Sequence, residues 1–132
     1  MAKTGGLAQT TMSVDNDASS AQAIGGDISN WDVAMPYNPW EVTGVDGSSV
    51  ERVMLLADLS GTLNSIFNPS ANRAHAVLSG DLRVARTLAI TISAKVLSEE
   101  VFFTDYKLTR AAGGELTGQH PFVLASGDPA WA

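Results

Sequence analysis

Apolar and polar side chains alternate along most of this chain, and the spacing becomes helical in one place. The cleanest case is RVARTLAITIS, residues 83–93. Val84, Leu88, Ile90 and Ile92 fall on one side, Arg83, Thr87, Thr91 and Ser93 on the other, and Arg86 alone interrupts the apolar row. Period two is the spacing of a strand with one wet face. The run RVMLLADLSGTLNSIFN, residues 52–68, puts Val53, Leu55, Ala57, Leu59, Leu63 and Phe67 on one face. It reads as one long half-buried strand, bent at Gly61. Before it, TTMSVDN and AIGGDISNWDVAM read as two strands, the second weighted by Ile28, Trp31 and Val33 and punctuated by Gly25 and Gly26. A last strand is expected around Phe122, Val123 and Leu124, with Trp131 beyond it.

The helical spacing lies in PSANRAHAVLSGD. Ser70 stands as an N-cap, Ala71, Ala74, Val77 and Leu78 form one face, and Gly80 stands where a left-handed C-terminal residue belongs. This predicts a helix over 70–80, too short to persist unless it lies on a sheet. Residues 35–50, with two prolines and two glycines, predict a long ordered loop that presents Tyr37 and Trp40 as docking rings. Residues 1–9 read as a flexible arm. The length fits a single domain, mainly β, with one short helix.

The segment VFFTDYKL, residues 101–108, raises a question. Val101 and Phe103 share one face, Phe102, Tyr106 and Leu108 the other, so both faces carry large apolar groups. Either the strand is sandwiched within the subunit or a second copy covers it.

Composition sharpens that choice. Apolar residues make up 45% of the chain and charged residues 17%, low for a free-standing monomer, which points to obligate assembly. The net charge of −6 is uneven, with six acids against one lysine in residues 1–50. Such a balance argues against a nucleic-acid binder, whose affinity comes mainly from Lys and Arg on phosphates. Cysteine is absent, so disulfides and thiolate metal sites are excluded. No apolar run approaches the ~20 residues that cross a bilayer, and a cytosolic site of synthesis is expected.

Candidate chemistry is sparse. His75 and His120 have no carboxylate cluster at metal-ligand spacing, and no serine sits in a nucleophile-elbow pattern. Glu99 and Glu100 are adjacent, hence on opposite faces of a strand. GGD at 25–27 and AAGGE at 111–115 read as turns, since neither opens a phosphate loop. Neither enzymatic activity nor a cofactor or metal is expected. Trp31, Tyr37 and Trp40 leave open a carbohydrate-binding β-sandwich as an alternative.

Taken in order, GGDISNWDVAM, the VTG loop, LADLSGTLNSIFNP leading into AHAVLS, FTDYKLTRAAGGELT and the closing SGDPAW resemble the major tail tube proteins of long-tailed bacteriophages (siphoviruses), especially those infecting actinobacteria. The resemblance runs from about residue 24 to the end. It implies an antiparallel β-sandwich or barrel with one flanking helix, assembled as hexameric rings that stack into a hollow tube carrying the genome. The location implied is the virion tail, assembled in the host cytoplasm, and DNA transits without specific binding. Implied partners are further copies of the chain, the tape measure protein, the tail terminator and the distal tail protein. A tail terminator or head-to-tail connector ring on the same fold is the alternative within the class. Under this resemblance Trp31, Tyr37, Trp40, Val101, Phe102, Phe103, Tyr106 and Leu108 are candidates for contacts between subunits. Asp15, Asp17, Asp27 and Asp32 are candidates for an acidic lumen that repels phosphates.

Overall fold

The computed structural model describes residues 9–132. The arm expected over residues 1–9 lies outside them, except for Gln9. The described residues form β1 (Gln9–Asp15), β2 (Ala21–Ala23), β3 (Ile28–Ala34), β4 (Tyr37–Glu41), β5 (Arg52–Ala57), β6 (Ser60–Ile66), α1 (Ala74–Leu78), β7 (Arg86–Ile92), β8 (Lys95–Phe103), β9 (Lys107–Arg110) and β10 (Leu116–Ser126). Every strand except β4 and β5 belongs to one eight-stranded sheet, ordered β2-β1-β7-β8-β10-β6-β3, with β9 also paired to β10. All its pairings are antiparallel.

The sheet buries one face. Met12 and Val14 of β1, Leu88 and Ile90 of β7, Leu97, Val101 and Phe103 of β8, Phe122 of β10 and Leu63 of β6 are all in the core. A five-residue helix cannot cover the apolar face of eight strands, so the sheet rolls over and seals that face against itself. The result is an antiparallel β-sandwich or barrel with a short helix. Phe103 and Phe122 are directly opposite across β8 and β10, and their rings meet edge-on at 5.8 Å. At Gly61 an added Cβ would lie 2.1 Å from the Asp32 carbonyl oxygen and 2.7 Å from Phe122 Cζ. That glycine admits a close approach inside β6 rather than bending a longer strand.

The predicted long strand is in fact two. It breaks at Asp58 and Leu59, where Leu59 is buried and Asp58 N–H donates to the Pro36 carbonyl at 3.0 Å. The expected loop at 35–50 is corrected by the same break, because Tyr37–Glu41 pairs with Arg52–Ala57 as a separate two-stranded hairpin. The irregular part shrinks to its tip, residues 42–51, which Val42 N–H closes onto the Glu51 carbonyl.

The helix is shorter than predicted, and both of its end signals differ. Its N-cap is Arg73, not Ser70, and that residue makes no side-chain cap. Asp27, from the turn before β3, caps the helix instead, accepting from Ala74 N–H at 3.2 Å and from Asn68 Nδ2 at 2.9 Å. At the other end the C-cap Ser79 stays right-handed, and Gly80 is not among the glycines with positive φ. Gly80 is needed because a Cβ there would meet Arg86 Nη2 at 2.9 Å and Asp17 Oδ2 at 3.0 Å. Arg86, which interrupts the apolar row of β7, is 0% exposed. Its guanidinium donates to the carbonyl of Val77, which the helix leaves unpaired as it ends, and to that of Asp81 in the turn beyond it. Burial lowers its pKa, and Asp17 and Asp81 partly oppose that.

Two turns set the registers. Ser93 and Ala94 join β7 to β8 with φ of 49° and 66°, both left-handed, as a two-residue hairpin of primed type demands. Between β9 and β10, Gly114 takes φ 98° and Ala111 N–H donates to the Glu115 carbonyl. Past β10, Gly127 at φ 90° turns the chain back along β8, where Trp131 bridges Leu97 and Ala132 exchanges hydrogen bonds with Val96.

Candidate assembly surface

The β4–β5 hairpin stands apart from the core. Every residue of β4 and β5 is exposed except Ala57, which is intermediate. Its side chains are nevertheless those of an interior: Tyr37, Trp40, Val53, Met54, Leu55 and Leu56 all count among the exposed large hydrophobics. Trp40 is 60% exposed and Leu56 84%. Successive residues point to opposite faces, so the run Val53–Leu56 makes both faces of the hairpin apolar. An isolated two-stranded hairpin is marginal in water, and one with two apolar faces is stabilised only when something covers it. Full burial is worth about 1.5–3 kcal/mol for each aliphatic side chain of this size.

Tyr37 and Trp40 are exposed, but on a strand rather than on the expected loop. The sequence reading missed Met54 and Leu56, and the available signal was the four consecutive apolar residues Val53–Leu56, which no half-buried strand carries.

The other candidates divide by face. Val101 and Phe103 are 0% and 2% exposed and lie in the chain's own core, so neither offers surface to a neighbour. Phe102 points outward, opposite Val123 on β10, and both are exposed. Trp31 pairs with buried Leu63 and packs half-buried against the core. Tyr106 and Leu108 are corrected in their side of the sheet. The chain leaves β8 at Thr104 and re-enters pairing at Lys107, and this break moves Tyr106 and Leu108 to the inward side, away from Phe102. Leu108 lies opposite buried Gly118 and is 42% exposed at the edge. The break thus explains why both predicted faces of residues 101–108 are apolar: most of those side chains are turned inward.

Tyr106 belongs to a stack of rings that pins α1 to the sheet. Phe67 lies 4.8 Å from His75, His75 lies 5.6 Å from Tyr106, and Tyr106 lies 4.9 Å from His120. His75 Nδ1 shares a hydrogen bond with the Tyr106 hydroxyl at 2.5 Å, and His120 Nε2 shares one with Ser65 Oγ at 2.7 Å. His120 and Ser65 are both buried, and His120 Nδ1 has no partner. Burial, partly opposed by Asp105, holds the His120 pKa down to about 4. Burial also raises that of the Tyr106 hydroxyl. Ser65 and His120 form a sealed, neutral pair beneath the rings, closed to any substrate.

The four acids proposed for a lumen come from different elements. Asp27 is committed to the helix cap. The carboxylate of Asp17 faces Gly80 and Asp81, where it accepts from Asp81 N–H at 3.5 Å. Asp15 ends β1, and Asp32 lies on β3, accepting from Thr62 N–H at 3.1 Å.

No protein-family model matches the chain, and no curated protein matches it. Among solved structures, a chain in the tail of an empty gene transfer agent (GTA) particle, computed with helical refinement and C6 symmetry, agrees in fold. Its TM-score is 0.71 at 13% identity, over 99% of this chain and 98% of that one. A chain in the virion of the native GTA particle agrees with TM-score 0.68 at 11% identity, over 99% of each chain. The fold is one found in particle tails. Both matches run the length of both chains, so the hairpin and the rolled sheet belong to a single shared architecture.

Proposed function

We propose that this chain is a structural virion protein that polymerises as stacked hexameric rings into a hollow tail tube, through which genomic DNA passes during ejection. The observation that carries this reading is the β4–β5 hairpin, whose two apolar faces stay largely exposed within the described part of the subunit. A second copy is the cover that a repeating assembly supplies. Phe102, Val123 and the open edges of β3 and β9 add lateral surface, since an unpaired edge is a template for another strand. The full-length likeness to a chain of a helical tail with C6 symmetry supports the ring and the stack. No enzymatic step is assigned. Its partners are further copies of itself, and beyond them the tape measure, terminator and distal tail proteins.

Negative-stain electron microscopy of the purified protein over a range of concentrations tests this. Hollow tubes of constant width are expected. Single rings that never stack would favour a terminator or connector, and a solitary monomer at every concentration would overturn the reading.

A further inference from the structure

Two exposed segments of opposite charge lie at opposite ends of β6 and β10. The β4–β5 hairpin leaves the sheet beside the paired residues Ala34 and Ser60, and Ser60 also pairs with Val123 of β10. β9 pairs with the other end of β10, Leu116–Gln119, where Thr117 lies opposite Ile66, the last residue of β6. At the rise of a strand, β6 holds these ends roughly 20 Å apart. The hairpin tip, residues 42–51, carries Asp46 and Glu51 and no base, among the exposed Val42, Val45 and Val50. Glu41, just below it, already faces Arg52 across the hairpin. β9 has the complementary composition: Lys107, Leu108, Thr109 and Arg110 are all exposed, and its outer edge carries no strand. No other described strand bears two exposed cations. The one ion pair among the described residues joins Arg83 to Asp81, so Lys107 and Arg110 are unpaired although Asp105 and Glu115 flank them in sequence. Asp105 instead accepts from Tyr106 N–H at 2.8 Å, and the Glu115 carboxylate folds over its own turn, 2.6 Å from where a Cβ on Gly113 would lie.

Two matching surfaces at different places on one chain make a heterologous, head-to-tail contact, the kind that repeats from copy to copy. We infer that the hairpin tip of one copy docks on β9 of the next, Asp46 and Glu51 against Lys107 and Arg110, with the tip valines covering Leu108. The inference rests on the tube reading above and adds to it the receiving surface and the charge that selects it. Apolar contact supplies most of the attraction. The charges decide which surface the tip accepts, because like charges brought together are strongly disfavoured while exposed opposite pairs add little. A hairpin with two exposed apolar faces needs such a selector, since hydrophobic contact by itself does not distinguish one apolar patch from another.

Charge reversal on each side tests this, with the critical concentration for polymer read by sedimentation. One variant combines Asp46→Lys with Glu51→Lys, the other Lys107→Glu with Arg110→Glu. Each by itself should raise the critical concentration at least about tenfold, since like charges then meet at every contact. An equimolar mixture of the two should polymerise at close to the wild-type concentration, because the tip of each variant fits β9 of the other and alternating copies satisfy every contact. A chain carrying all four substitutions should also recover. Recovery of that chain without recovery of the mixture would place the contact inside one subunit and overturn the inference. Polymer formed normally by either double variant, or recovery in neither case, would overturn it as well. If circular dichroism shows that a double variant does not fold, the neutral forms Asp46→Ser with Glu51→Gln and Lys107→Gln with Arg110→Gln replace the reversals. These should raise the critical concentration about threefold, and an unchanged value would overturn the inference. Wild-type protein that forms no polymer would end the tube reading itself, a different failure.

Discussion

β5 and β6 are separated by two residues and have opposite fates. Leu63 of β6 is 0% exposed, deep in the rolled sheet, whereas Leu56 of β5 stands in solvent. The difference lies in pairing. β6 lies between β3 and β10, and its inward side chains meet a second layer. β5 has only β4, and a two-stranded hairpin has no second layer to meet. Apolar side chains thus do two jobs in this protein. In the sheet they hold the subunit together, and in the hairpin they have the proposed assembly to meet. Stability and assembly are therefore separable by mutation.

The largest effect is expected in the core. Phe103→Ala should lower the free energy of unfolding by about 3–5 kcal/mol and Leu63→Ala by about 2–5 kcal/mol, measured by urea titration. Phe103→Asp should leave the chain unfolded. Core variants that retain wild-type stability would erase the contrast.

Next comes a pH dependence seated in the sheet. With its folded pKa at about 4, His120 stays neutral in the native state while the unfolded chain takes up a proton near pH 6.5. The unfolded state binds more protons in that window, so stability should fall as pH drops from 6.5 toward 4, by up to about 3 kcal/mol, and this contribution levels off below 4. His120→Gln should flatten that part of the profile. An unchanged slope would place the dependence on other groups.

A smaller gain is expected at the β7–β8 turn. Ser93→Asn combined with Ala94→Gly puts residues suited to positive φ where two side chains are strained, and should raise stability by about 1–2 kcal/mol. Destabilisation would show that the turn is set by contacts rather than by backbone preference.

The smallest change in stability belongs to the hairpin. Leu56→Asp and Trp40→Ala should shift unfolding by no more than about 0.5 kcal/mol, since both side chains are exposed, while sedimentable polymer disappears. Normal assembly by both variants would remove the hairpin from the interface.

Legibility followed the range of the deciding contacts. β7 was readable because its period runs unbroken and its one exception, Arg86, faces the same core as its apolar neighbours. The helix was readable in its Ala74, Val77 and Leu78 face, but its N-terminus was not, because the capping carboxylate of Asp27 lies 47 residues from Ala74. Tyr37 and Trp40 were recognisable as surface aromatics. The strand under them was not, since Pro39 and the two glycines of the tip suggest a loop and only pairing with Val53 and Met54 overrides that.

Alternation alone determined that this protein is mostly strand with one short helical segment, because period is a local property that each stretch carries by itself. Tertiary structure decided which apolar faces meet their own chain and which are left over. A break of three residues after Phe103 turns Tyr106 and Leu108 inward, and a break of two after Ala57 sends a strand outward. The reason is that burial belongs to pairs of surfaces: a side chain's hydrophobicity is written at its own position, while its cover comes from residues far along the chain or from another molecule.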